Sequence, residues 1–155
     1  MKLTKYQHAC FTLEKDGKLL VIDPGELSDD FVAPDHVVAV VVTHQHPDHL
    51  DTAHLSQIFS KNDSALLLGP ADVLKKVDMS NKLVVQAGEK VTVAPFELEF
   101  FGDLHIVIHK SIPNVQNLGV MVNDTLYYAG DSYTNPDRPV AVLALPTSGP
   151  WLKLG

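Results

Sequence analysis

Cysteine is nearly absent: Cys10 stands alone. One thiol cannot close an intrachain disulfide, so the sequence offers no support for an oxidising, secreted setting. Basic residues are also scarce, with 12 Lys and Arg against 19 Asp and Glu and a formal charge of −7. Binding to a phosphate backbone needs clustered cations, so a general nucleic-acid surface is disfavoured. No apolar run approaches the length of a membrane span, and residues 1–8 lack the apolar stretch of a signal peptide. A cytoplasmic protein without membrane contact is therefore expected. Repeats and low-complexity segments are missing too, and 155 residues, 45% of them hydrophobic, suit one domain over 1–155 with a sizeable core.

What the chain does hold is concentrated at residues 43–51, Thr-His-Gln-His-Pro-Asp-His-Leu-Asp, with three imidazoles and two carboxylates in nine positions. This stretch directly follows the apolar run 37–42, which is short and rich in β-branched residues and so reads as a buried strand. Chemistry in α/β folds gathers at such carboxyl ends of strands. His44 and His46 are two apart and point the same way on an extended backbone. Pro47 turns the chain, so Asp48 and His49 arrive with a different heading. Two pairs of donors with two headings suit two metal ions held close together, and imidazole with carboxylate suits zinc, iron or manganese. A solvated histidine-rich loop is the plain alternative, but such a tract has no fixed order and rarely follows a buried strand so closely.

Elsewhere the pattern is one of short strands and few helices. Residues 2–23 read as strands with a hairpin turn at Asp16-Gly17. Residues 51–61 form a helix presenting Leu55, Ile58 and Phe59 on one face, with His54 and His36 taken as incidental. A strand at 65–68, a short helix at 71–77 and strands at 83–86 and 91–93 follow. Phe96-Glu97-Leu98-Glu99-Phe100 alternates apolar with acidic, giving one buried and one wet face. Residues 104–109 read as a further strand with His105 and His109 on one side. Two strands at 118–122 and 125–129 lead into Gly130-Asp131-Ser132, and 140–146 closes the series. Parallel β-α-β pieces mixed with hairpins predict an α/β (α+β) four-layer αββα sandwich.

The order His-x-His-x-Asp-His, carried by His44, His46, Asp48 and His49, resembles the signature of the metallo-β-lactamase-fold hydrolases, and the resemblance covers nearly the whole chain. It implies that His44 and His46 bind a first metal, while Asp48 and His49 belong to a second. Tyr128-Ala129-Gly130-Asp131-Ser132 resembles the family's fourth motif, whose Asp bridges both metals; a carboxylate has two oxygens and can do so. One of His105 and His109 is implied as the third histidine of the first metal, with His105 favoured by its place after Gly102. Asp23, in Asp23-Pro24-Gly25, corresponds to an Asp that supports the metal loop through hydrogen bonds; a simple turn is the other reading. Gln7-His8-Ala9 is similar to an element of the branch that includes the L-ascorbate-6-phosphate lactonases, which suggests His8 as a pocket residue.

A fifth motif, a histidine for the second metal on a later strand, has no counterpart, since no histidine follows Asp131. The expectation is a C-terminally incomplete chain whose segment at Trp151 starts a helix. Completion by a partner subunit, or a second metal held by Asp48, His49 and Asp131 alone, are the alternatives. Uncovered sheet faces would then invite a homo-oligomer. Implied overall is a metal-dependent hydrolase with two zinc ions, or manganese or iron, that activates water as hydroxide, with Asp48 orienting it. The substrate class would be a small ester, lactone or amide metabolite, phosphorylated ones included. A non-catalytic metal-binding scaffold and a phosphodiesterase or nuclease of the same fold are the rival readings.

Overall fold

Two hairpin-rich halves face each other in the computed structural model, which describes residues 1–147 and 149. In the first half, strand β1 (Lys2–Lys5) pairs antiparallel with β2 (Phe11–Lys15), and β2 with β3 (Lys18–Ile22). Asp16 and Gly17 make the tight turn between β2 and β3 with φ of +52° and +71°, the left-handed pair that a two-residue hairpin demands. The chain then switches to parallel crossovers. β4 (Val37–Val41) lies beside β3, helix α1 (Thr52–Lys61) returns the chain, and β5 (Leu66–Gly69) lies beside β4. After the short helix α2 (Ala71–Leu74), β6 (Lys82–Val84) completes a six-stranded sheet in sequence order.

The second sheet holds β7 (Lys90–Val93), β8 (Phe96–Phe101), β9 (Gly119–Val122), β10 (Leu126–Tyr128) and β11 (Val142–Ala144), in the order β11-β10-β9-β8-β7. Its members pair antiparallel except β10 with β11. The alternation in β8 works as its sequence predicts. Phe96, Leu98 and Phe100 point into the space between the sheets, against Leu13, Leu20, Ile22 and Val41 of the first sheet. Glu97 is exposed and Glu99 reaches Arg138 and Lys90.

Strand β4 is buried on both faces, which is why it reads as an unbroken apolar run. Ala39 and Val41 enter the inter-sheet core, while Val40 and Val42 pack with Leu55 and Ile58 of α1. Asp51 caps α1 by accepting from the Ala53 amide at 2.8 Å. The result is a mixed α/β sandwich of the αββα type, with its helix, sheet and sheet layers built by the described residues. The outer face of the second sheet buries Met121, Tyr127 and Ala129 beneath Phe101 and Val140. Among the described residues no helix is long and apolar enough to cross a membrane.

Two expectations need correction. The segment 104–109 is not a strand; its only ladder contact is a single bridge between Leu104 and Gln116. Its amides are spent on loops instead, His105 on the Val115 carbonyl and Ile106 on that of Asp131, so His105 and His109 do not share a side. Helix α2 stops at Leu74 rather than near Val77. The helix start expected at Trp151 lies outside the described residues.

The inter-sheet core sets the stability of this architecture. Phe100→Ala should cost about 3–5 kcal/mol in urea unfolding, because the fully buried ring leaves a cavity between sheets. Glu97→Ala, on the wet face of the same strand, should stay within roughly 0.5 kcal/mol of the parent.

Candidate metal centre

At the carboxyl ends of β3 and β4 the two strands are joined by one carboxylate. Asp23 follows β3 directly, with φ of +47°, and its side chain is fully buried. Its Oδ1 accepts from the Thr43 amide at 2.8 Å. Its Oδ2 accepts from the Thr43 hydroxyl and from Nδ1 of His49, both at 2.7 Å. These bonds decide which ring nitrogens face the site. Thr43 gives its single proton to Asp23, so at 3.0 Å its oxygen accepts from Nδ1 of His44. Nδ1 is thereby the protonated nitrogen of His44, and Nε2 carries a lone pair. Tyr128 lies beside this network; burial first, then the Asp23 charge, push its phenol well above the ordinary range and keep it protonated.

The loop 43–51 is seated backbone to backbone on the turn after β3. Glu26 donates its amide to the Pro47 carbonyl at 2.8 Å, and Asp51 donates to that of Pro24 at 3.2 Å. A methyl group at Gly25 would sit 2.0 Å from the Asp48 carbonyl oxygen, so no larger residue fits there. The second sheet is tied in by Asn117, fully buried. Its Oδ1 accepts from the Asp131 amide at 3.0 Å and its Nδ2 donates to the Ala129 carbonyl at 2.9 Å. Its backbone bridges His44, and Leu118 donates to the Thr43 carbonyl at 3.0 Å. Gly130, at φ +62°, is closed in by the same Asn117 and by Thr43.

These ties bring most of the expected residues to one place. The donor atoms of His44, His46 and His105 lie within 4.8 Å of one another, as do those of His44, His49 and Asp131, and those of His8, Asp48 and His49. Oδ2 of Asp131 is 3.4 Å from Nε2 of His105, 3.5 Å from that of His49 and 3.9 Å from that of His44. His105 turns its Nδ1 to the Ile106 carbonyl at 2.5 Å, leaving Nε2 toward Asp131. His109 stands apart, exposed, with Nδ1 2.7 Å from the Ser111 hydroxyl. His54 pairs with Asp51 on α1 and His36 is exposed; neither joins the cluster.

Burial and mutual charge shift the members of the cluster in different directions. Burial, then His49, hold the His44 imidazole well below its ordinary range, so it stays neutral. Burial and His105 lower His46 in the same way. Burial opposes charge on His49, but Asp23 and Asp131 outweigh it and raise its pKa to about 10. Burial would raise the Asp131 carboxyl, yet bonds and charge from His105 and His49 hold it well below the usual carboxylate range. His44 Nε2 is buried with no hydrogen-bond partner among the described residues. An ion bound tetrahedrally at about 2.1 Å keeps its ligand atoms roughly 3.4 Å apart. The spacings around Asp131 start at that value and exceed it by up to half an ångström, and the donor set is imidazole and carboxylate, so the residues present fit divalent cations.

Thr43, Asn117, Gly25 and Gly130 carry no chemistry that sequence patterns reveal. Only Thr43, at the end of a buried strand and next to His44, occupies a place where a polar residue asks for a partner.

Comparison with known proteins agrees with this geometry. A family profile described as "Beta-lactamase superfamily domain" matches residues 2–154. Protein Rv0786c of Mycobacterium tuberculosis is 31% identical, over 99% of this chain and 74% of its own. A UPF0173 metal-dependent hydrolase of Anoxybacillus flavithermus is 28% identical, over 85% of this chain and 64% of that protein. The metallo-β-lactamase fold protein YhfI of Bacillus subtilis superposes with a TM-score of 0.61 over 80% of this chain and 54% of that one. Its 19% identity speaks to the fold alone. The chain thus spans about half to three quarters of the length of these relatives. With a profile match across 2–154, a sandwich of the right type and metal-capable histidines and aspartates at its strand ends, the chain belongs to the metallo-β-lactamase superfamily.

Proposed function

We propose that the chain is a metal-dependent hydrolase, organised as one domain, that holds two divalent cations, zinc foremost with manganese or iron as substitutes. Its substrate would be a small ester, lactone or amide metabolite, phosphorylated ones included. The observation that carries the reading is the position of Asp131, whose Oδ2 faces the Nε2 atoms of three histidines at 3.4–3.9 Å. A carboxylate so placed can be shared between two cations, which imidazole cannot. In this reading His44, His46 and His105 hold the first cation, Asp48 and His49 hold the second, and Asp131 is common to both. His109 is left out of the ligand set.

When bound, the cations supply Lewis acidity: they acidify water and polarise a carbonyl or phosphoryl oxygen. The rest is done by side chains. Asp23 and Thr43 fix the tautomers of His49 and His44 and so present lone pairs inward. Buried Asn117 holds the Asp131 amide and keeps that carboxylate beside the histidines. The Asp48 side chain, one-third exposed, stands where solvent meets the cluster and can orient a reacting water. The acidic balance of the chain supports a small substrate over a nucleic acid. The name of the Anoxybacillus relative supports hydrolysis as the reaction class.

The test is metal content together with turnover on generic lactone, ester and phosphodiester substrates. Two equivalents of metal with chelator-sensitive hydrolysis are expected; stoichiometric metal without turnover would assign a binding scaffold instead. His46→Ala should remove the first cation and activity together, and elemental analysis showing normal content with full activity would contradict the ligand set. Asp131→Ala should lower the content of both cations, whereas loss of one alone would end its shared role. Asp23→Asn touches no cation, but it should weaken metal affinity by about 10–100-fold in calorimetric titration, because His49 and Thr43 lose the charge that orients them.

A further inference from the structure

His8 sits on a turn that the fold takes trouble to hold. The Lys5 ammonium donates to the carbonyls of Tyr6 and His8, and at 3.4 Å to that of Cys10. Asp30 accepts the Gln7 amide at 2.8 Å, Ser28 donates to the Gln7 carbonyl at 3.3 Å, and the Tyr6 amide donates to Cys10 at 3.0 Å. His8 itself adopts φ +53°, a conformation an L-residue enters at a cost of about 1 kcal/mol or more. The effect of these contacts is to aim one imidazole at the rim of the metal cluster. Its Nε2 lies 2.9 Å from Oδ2 of Asp48, and its ring stands edge-on to that of His49 with centroids 5.7 Å apart.

Resting on the two-cation reading above, we propose that His8 is a ligand of the second cation. Asp48 and His49 are the donors on that side not shared with the first cation, and they leave its outer face open. Among the described residues, His8 is the nitrogen donor that closes this face, and its donor atom groups with theirs within 4.8 Å. The gaps around Asp48 Oδ2, 2.9 Å to His8 and 3.8 Å to His49 Nε2, lie on either side of the roughly 3.4 Å between ligands of one tetrahedral ion. His44 and His105 are already committed to the first group, so they do not compete for this place. The role requires the neutral tautomer of His8 with its proton on Nδ1, so that the Nε2 lone pair faces the cation. A histidine near the start of the chain thereby joins a site otherwise assembled from strand ends.

The experiment is metal titration of the full chain, stripped and then reloaded with zinc, read by calorimetry and by elemental analysis after dialysis. The parent should take up two ions. His8→Ala should keep the first at unchanged affinity, which also reports an intact fold, and should weaken the second by more than about 100-fold, beyond the loss typical of residues that merely orient ligands. His8→Gln keeps a hydrogen-bond donor toward Asp48 but is a poor ligand, so it should behave like His8→Ala. Full or near-full recovery of the second ion in His8→Gln would make His8 a positioning residue and overturn the proposal. Two ions at parental affinity in His8→Ala would overturn it while leaving the two-cation site standing. A parent that binds no second ion would instead remove the two-cation reading itself.

Discussion

One buried carboxylate keeps the site in order. Asp23 is sealed from solvent yet accepts three hydrogen bonds, and those bonds stabilise its charge where burial alone would not. Removing the partners would leave a charge without compensation; removing the charge would leave Thr43 and His49 unsatisfied. Each side of the network therefore enforces the other. Through it the ends of β3 and β4 are clamped; Asp23 orients His49 directly, and the Thr43 proton it accepts sets the tautomer of His44. The close seating of Gly25 against Asp48 serves the same end, since any side chain there would push the loop off its support.

The second constraint is that the donors come from both sheets. His44, His46, Asp48 and His49 follow β4, whereas His105 and Asp131 follow β8 and β10. Their mutual distances are therefore set by how closely the sheets pack, which the Phe96, Leu98 and Phe100 face decides. Asn117 converts that packing into register. It bridges His44 by its backbone and holds the Asp131 loop by its side chain, so the halves cannot slide independently.

Much of this was legible in the residues because local rules were obeyed. Asp16-Gly17 needs positive φ twice and makes the turn, the β8 alternation buries its three apolar residues, and the doubly buried β4 announces itself as an apolar run. The histidine loop was readable because its spacing is chemical rather than structural. What stayed hidden depends on distant partners. The amides of residues 104–109 looked ready for a ladder, but those of His105 and Ile106 bond to the Val115 and Asp131 carbonyls instead. Asn117 resembles any loop asparagine until the two sheets close around it. His8 was suggested as a pocket residue by its resemblance to a family element, but its hold by Lys5, Asp30 and Ser28 and its pairing with Asp48, 40 positions away, were not readable.

The gradient of exposure across the cluster divides its labour. His44, His49 and His105 are 0%, 2% and 3% exposed, so on that side charges interact in a poorly screened environment and hold strongly. The raised pKa of His49 sets a positive charge beside Asp131, and a cation bound there would take over the same lone pair. Asp48 and His8, each with a third of the side chain in solvent, form the opposite wall. A fully buried cluster would bind ions and admit nothing else; a fully open one would lose its ligands to water. In the two-cation reading, three histidines on the buried floor and Asp48 at the rim would let one site both retain cations and receive a substrate.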